Sequence, residues 1–242
     1  MLELAAGTAA LAVLAGYHTM ASRSQLYGQT FIGNRRRRQI ALTFDDGPND
    51  PYTFQLLDIL AKHNVQATFF MIGQYVDQRP DIACAVADAR HVVGNHTYTH
   101  PNLILRSEWQ VRDEIVRCER ALQDAVGDRY AKLFRPPFGG RRPASLRTIR
   151  KLGWTPVMWN VTGFDWDAKS AEYIEGKVTR QVKGGDVVLL HDGGHLQFGA
   201  NRGFTVQAVE KLIRRYQGEG FKFRTIPEMM EESSKDDRRG TK

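Results

Sequence analysis

The 242-residue sequence predicts an α/β fold, a distorted (β/α) barrel of about seven parallel strands. Two observations carry that prediction. From Arg38 onward, short β-rich runs alternate with amphipathic stretches of helical period, the pattern of parallel strands joined by crossover helices. About seven such units fill about 200 residues, which suits a barrel. An open doubly wound sheet is the competing arrangement. No Gly-x-Gly-x-x-Gly follows the first strand, which removes its dinucleotide-binding version.

The elements follow in order. Gln39 to Phe44 reads as a strand. Asp50-Pro51 then supplies an N-cap and a first-turn proline, and Phe54, Leu57 and Leu60 keep the helical period up to His63. Ala67 to Ile72 is the second strand, Pro80 to Arg90 a helix and His91 to Val93 a short strand. Ser107 to Gln110 has the form of a capping box, and Val111, Ile115, Cys118, Leu122 and Ala125 recur behind it at helical spacing. Leu133-Phe134 ends a strand, Pro143 to Leu152 is a helix and Thr155 to Val161 a strand. A helix from Ala171 to Val182, a buried strand from Asp186 to Leu190, a helix from Phe204 to Tyr216 and a strand from Phe221 to Arg224 complete the series. A short helical end follows, and the tail from Glu231 reads as polar and frayed. The domain reading is an N-terminal segment and basic linker (1–38), a catalytic domain (39–230) and a polar tail (231–242).

Composition narrows the function. With 42% hydrophobic and 25% charged residues, the chain is not a disordered one. Its net charge of +7 is scattered except for Arg35 to Arg38, and no basic helix or basic-aromatic interleaving accompanies that run, so a nucleic-acid partner is not expected. Cys84 and Cys118 show neither metal nor redox spacing, and Cys118 falls on the apolar face of a predicted helix as a buried thiol. Leu2 to Ala21 is mostly apolar and small; it reads as a membrane-associated segment, an anchor or a secretory signal, with a short Ala/Gly-rich helix packed on the domain as the alternative. The expected location is the cell envelope, although the arginines that follow the segment would, on a positive-inside reading, keep the catalytic part in the cytoplasm.

The chemistry should lie in the loops after the strand C-termini, which in a barrel share one mouth. Asp45-Asp46 ends the first strand, His96 and His100 follow the third, and Arg135, Asp165-Trp166 and His191-Asp192 follow later ones. Two histidines four apart can face one metal ion, and a carboxylate after the first strand supplies a third ligand. A His₂-Asp site leaves coordination positions open for water and substrate, as a catalytic site does. A divalent ion beside Asp46 would also make the adjacent Asp45 tolerable, and Asp45 would be free to act as a base. Zn²⁺ suits such ligands, and Co²⁺ or Ni²⁺ could substitute.

"TFDDGP", "HTYTH", "RPPFG", "DW" and "LLH" stand in the order and spacing of the NodB-homology polysaccharide deacetylases, carbohydrate esterase family 4, which the chain resembles from about Gln39 to Pro227. The resemblance implies a metal-dependent hydrolase that removes acetyl groups from N-acetylated amino sugars of peptidoglycan or chitin-like chains. It implies Asp46, His96 and His100 as metal ligands and Asp45 as general base. Arg135 would orient that base, and the Phe138 backbone N–H would help hold the oxyanion. Asp165 would support His191 as general acid, while Trp166 and Leu189 would line the acetyl pocket. Two positions depart from the family pattern: Thr162 replaces a usual aspartate, and Phe138 a frequent tyrosine. The long insertions that often build subsites are absent, which suggests an open groove. O-acetyl esterase action on glycans such as xylan and a carbohydrate-binding pseudoenzyme are the competing readings, and a cyclic amide hydrolase is disfavoured by the intact triad and the Asp-Trp wall.

Overall fold

The computed structural model describes residues 14, 16–34 and 38–239, with side chains through 235. Among them, eight strands form one sheet whose paired strands all run parallel. β1 (Gln39–Gly47) lies inside it. On one side follow β2 (Thr68–Met71), β3 (Val92–Asn95), β4 (Leu133–Phe134) and β5 (Thr155–Pro156); on the other lie β7 (Asp186–His191) and then β6 (Val161–Thr162). β8 (Lys222–Phe223) pairs with the start of β1. The two outermost strands, β5 and β6, are consecutive in the chain. Thr155 and Pro156 pair with β4, whereas Val161 and Thr162 pair with β7, so one stretch of chain joins both edges and the sheet curls into a barrel. The single strand expected from Thr155 to Val161 is therefore split in two, because the chain changes pairing partner between Val157 and Asn160.

Alternation along the strands sorts the core into two layers. Ile40, Leu42 and Phe44 of β1 pack outward with Leu56, Leu60, Val209 and Leu212 of the surrounding helices. Ala41, Phe70, Val157 and Val187 pack together inside, closed by Ile226 and Met229 of the C-terminal helix. The next inward positions on β1 are Thr43 and Asp45, and on β7 they are Leu189 and His191, so the same alternation that buries the apolar interior delivers polar groups to the mouth.

From Tyr52 onward the α-helices among the described residues are α1 (Tyr52–Lys62), α2 (Gly73–Gln78), α3 (Pro80–Asp88), α4 (Glu108–Val126), α5 (Pro143–Lys151), α6 (Ala171–Thr179), α7 (Gly203–Gly218) and α8 (Ile226–Arg239). The capping box of α4 is present: Gln110 N–H donates to Ser107 Oγ at 3.3 Å, and Ser107 N–H donates to Gln110 Oε1 at 2.9 Å. Cys118 is buried on that helix and its thiol meets the Met71 carbonyl at 3.5 Å.

Three expectations are corrected. Asp50 does not cap α1; Pro51 occupies the cap without a side-chain bond, and the Asp50 carboxylate instead pairs with Arg79 at 2.7 Å. An additional helix, α2, follows β2, where the sequence has no long apolar period to announce it. The polar end is helical through Arg239, because Met229 anchors the first turns of α8 inside the barrel.

Most of the apolar N-terminal run, residues 2–13, and Arg35 to Arg37 lie outside the described residues. Among the described residues no helix is long and apolar enough to cross a membrane. The segment that follows is knitted into the domain. Phe31 bridges Val157 and Gly33 bridges Asp186, which fills the seam below β6. A Cβ on Gly33 would stand 2.3 Å from the Gly185 carbonyl, so only glycine passes there. Buried Arg141 donates to the carbonyls of Ala21 (2.6 Å), Ser24 (2.8 Å) and Gly139 (2.9 Å) and fixes residues 21–24 to the loop after β4.

Burial ranks the contributions to stability. Phe69 is fully buried and stacks on Phe44 with centroids 4.9 Å apart. Phe69→Ala is expected to cost about 3–5 kcal/mol, whereas Ser107→Ala should cost about 1 kcal/mol. Urea melts of the two variants check both values.

Candidate active site

Two adjacent carboxylates end a buried strand, and the backbone explains how both reach one cleft. The register of β1 against β2 shifts between Asp45 and Gly47, and Asp46 adopts a left-handed φ of 70°. Asp45 keeps the inward direction of its strand while the bulge swings Asp46 round beside it. Both are 3% exposed.

The histidine loop is built by polar side chains. Asn95 Oδ1 accepts from Thr97 N–H at 2.9 Å, and Thr97 Oγ1 accepts from His100 N–H at 3.1 Å. Glu114 of α4 accepts from the N–H groups of Tyr98 (2.9 Å) and Thr99 (2.7 Å). Thr97 and His100 are both left-handed, as are Phe138 and Phe164. Such strain persists only where surrounding contacts over-determine it, and here it clusters around one cleft.

His96 and His100 thereby point their Nε2 atoms at the same oxygen: Asp46 Oδ1 lies 3.4 Å from the first and 3.2 Å from the second. His96 Nδ1 lies 2.7 Å from the Arg135 carbonyl, which assigns its proton to Nδ1 and leaves Nε2 as a bare donor of electrons. Burial and the neighbouring His96 push His100 down to about 3, against the pull of Asp46, so it is neutral at pH 7. Burial alone would raise the Asp46 carboxyl, but His195 and His96 beside it, with His191 and His100 nearby, hold it well below the usual carboxylate range. An ionised carboxylate oxygen with no hydrogen-bond donor, buried against the ring nitrogens of two histidines, fits a divalent cation: Asp46, His96 and His100 can hold one.

Asp45 faces the other side of this cluster. Arg135, fully buried, donates from one Nη to Asp45 Oδ1 at 2.7 Å and to Thr43 Oγ1 at 2.7 Å. Burial lowers the guanidinium from its usual value and Asp45 opposes that shift. Asp45 Oδ2 is left 3.7 Å from His96 Nε2.

Across the cleft, Asp165 Oδ1 meets His191 Nδ1 at 2.8 Å, while its Oδ2 accepts from His191 N–H (2.7 Å) and the Thr205 hydroxyl (2.9 Å). Burial would depress the imidazolium, yet this carboxylate, with Asp46 and Asp45 beyond it, raises His191 to about 9. Asp165 moves the opposite way, below its usual value, because the charge of His191 outweighs its own burial.

The cleft encloses about 870 Å³. Leu189 and Trp166 line it, and the Trp166 ring, half exposed, stands edge-on to His191 at 5.5 Å. Phe138 lines it too, with its ring edge-on to His100 at 4.7 Å; its left-handed backbone turns the chain at the mouth. Asp192, in contrast, points away: its carboxylate accepts from Thr53 at 2.6 Å, and burial raises it to about 7. Thr162, at the departure in the fourth motif, exchanges backbone bonds with the Gln181 side chain and does not enter the cleft.

Every candidate residue read from the sequence borders this cleft or directly supports a group that does. Sequence reasoning missed Glu114, Thr205, Asn49 and Trp159. Glu114 was detectable as a lone acid on the apolar stripe of α4, between Val111 and Cys118. Asn49 ties the loop after β7 by donating to the Asp192 and Ala200 carbonyls, each at 2.8 Å, and by accepting from Gly199 N–H. Trp159 lines the cleft beneath Gly139, and nothing in its sequence context distinguishes it from a core tryptophan.

Comparison with known proteins places the chain among relatives. The family model described as polysaccharide deacetylase matches residues 32–157. The chain is 37% identical over 221 residues to a peptidoglycan-N-acetylglucosamine deacetylase of Bacillus cereus, covering 90% of this chain and 78% of that one. It is 35% identical over 198 residues to a chitooligosaccharide deacetylase of Bradyrhizobium, covering 79% of this chain and 90% of that one. The crystal structure of the Bc1960 peptidoglycan N-acetylglucosamine deacetylase superposes with a TM-score of 0.76 at 37% identity, over 83% of this chain and 91% of that one. With five sequence motifs gathered at one barrel mouth and a named deacetylase, a hydrolase of carbon–nitrogen bonds, matched along nine-tenths of this chain, the chain belongs to the polysaccharide deacetylase family.

Proposed function

We propose that this protein removes the acetyl group from N-acetylated amino sugars of a peptidoglycan or chitin-like glycan, with one divalent cation, zinc, held by Asp46, His96 and His100. The observation that carries this reading is the pairing of that ligand set with two acid–base groups on opposite sides of it. Asp45 is oriented by Arg135, and His191 is held charged by Asp165.

When bound, the cation supplies Lewis-acid polarisation of the acetyl carbonyl and acidifies water. Asp45 Oδ2, left open by the Arg135 bond on Oδ1, takes the proton of the attacking water. The Phe138 N–H, presented by its left-handed turn, donates to the carbonyl oxygen as negative charge develops there, an interaction worth about 3 kcal/mol. His191 delivers the proton from Nε2 to the departing amine, because Asp165 occupies Nδ1. Trp166 and Leu189 enclose the acetyl methyl. The apolar content of Leu2 to Ala21 supports a place at the cell envelope, anchored or secreted; fractionation should find the protein in membranes or medium, and recovery only from cytosol would refute this.

Two outcomes test the chemistry. Chelation, Asp46→Asn and His100→Gln are each expected to reduce acetate release from chitooligosaccharide more than about a hundredfold. Circular dichroism should stay native, and zinc should restore only the chelated wild type. Faster release from acetylated xylan than from chitooligosaccharide would instead favour the esterase reading. The second outcome is a pH profile. The acid must be protonated, so the rate falls as pH rises through about 9. Asp165→Asn removes the charge that raises His191 and should move that limb down by about one to three pH units; an unmoved limb would exclude His191 as the acid.

A further inference from the structure

One wall of the cleft is the loop from Gly193 to Arg202, whose His195 ring meets Phe138 edge-on at 5.1 Å, and it is built as a rigid rim. Asn49 clips its two ends through the Asp192 and Ala200 carbonyls. Tyr75 Oη donates to the Gly194 carbonyl at 3.1 Å, and its ring meets Phe198 edge-on at 5.7 Å. Arg202 closes the loop: its Nε donates to the Gly193 carbonyl at 2.6 Å.

That single bond uses the inner nitrogen and anchors the guanidinium at one point. The two outer nitrogens have no hydrogen-bond or ion-pair partner among the described residues, and the side chain lines the cleft beside Gly194 and Asn201. A Cβ on Gly194 would stand 3.5 Å from Nη2, so the glycine leaves the guanidinium uncovered. The neighbouring carboxylate, Asp165, accepts three hydrogen bonds from His191 and Thr205; the Arg202 charge helps keep it ionised, but the two form no salt bridge. Arg202 also stands at the N-terminus of the 16-residue α7, where the helix dipole adds positive potential. A half-buried guanidinium, locked at Nε and open at both Nη atoms, matches a carboxylate bidentately. The net charge of +7 draws an acidic polymer toward such a site.

We propose that Arg202 forms an anion subsite in the cleft, which selects glycans carrying a carboxylate on a sugar next to the acetylated one. This inference rests on the deacetylase reading above and adds the substrate class to it. Neutral chitin-like chains would fill the same cleft without engaging the open guanidinium.

The test uses two forms of one polymer: peptide-free peptidoglycan glycan strands with free carboxyl groups, and the same strands with those groups reduced to alcohols. Acetate release gives kcat/KM, and quenching of tryptophan fluorescence gives binding without turnover. Wild-type protein should prefer the acidic form by about 10- to 100-fold, mostly in KM and in binding, as befits a charge-assisted bond. Arg202→Gln should bring the two forms within about threefold of each other, and Arg202→Lys should retain part of the preference. Equal use of both forms by the wild type would overturn the proposal. So would an Arg202→Gln variant that weakens both forms equally, since the side chain would then act only through Gly193 and the loop. If neither form releases acetate, the deacetylase reading fails, and the binding ratio alone still decides for or against the subsite.

Discussion

The site depends on one buried cation. Arg135 has no exposed surface, and its three polar handles each fix a different part of the cleft. Its backbone N–H donates to the Asn95 carbonyl, which sets β4 against β3. Its carbonyl accepts from His96 Nδ1, which assigns the tautomer that leaves Nε2 free for a metal. Its guanidinium holds Asp45 in one orientation. A guanidinium buried in a barrel would be costly alone, and a carboxylate beside it equally so; together they offset that cost, and removing either leaves the other stranded. The Phe70 ring, 4.2 Å from the guanidinium carbon, takes up part of the charge on its face.

Around this pair the cleft is assembled from strained turns secured by side chains that do no chemistry. Left-handed backbone at Asp46, Thr97, His100, Phe138 and Phe164 would relax if left to itself. Glu114, Asn95, Thr97 and Asn49 spend their hydrogen bonds on backbone groups of these loops and of the rim. The result is a cleft in which the side-chain atoms of Asp46, His96 and His100 converge within 4.8 Å of one another.

Electrostatics divides the cleft into two halves with opposite protonation. On one side, burial keeps His100 neutral and its neighbours keep Asp46 ionised, which is what a ligand set requires. On the other, Asp165 overrides burial and keeps His191 charged. The same residue type is thus driven to opposite states only a few residues apart in space, and the deciding factor is whether a dedicated carboxylate stands on Nδ1. His100 has no partner there; His191 has one at 2.8 Å.

The sequence by itself determined most of the strand-and-helix order, the barrel class and the positions of the chemical groups, because periodicity and strand-end position are local properties. Asp45, Asp46, His96, His100, Arg135, Asp165 and His191 were legible because each closes or follows a strand, and in a parallel barrel all such ends share one mouth. Tertiary structure alone decided the rest. The split of the strand after Trp154 arises from a change of pairing partner, which no local pattern encodes. The supports from Glu114, Asn49 and Thr205 join segments from 15 to 151 residues apart. The open fork of Arg202 is defined by what does not reach it, and only packing shows that. Long-range contact and its absence are properties of three-dimensional arrangement, so they were beyond the reach of residue type and spacing.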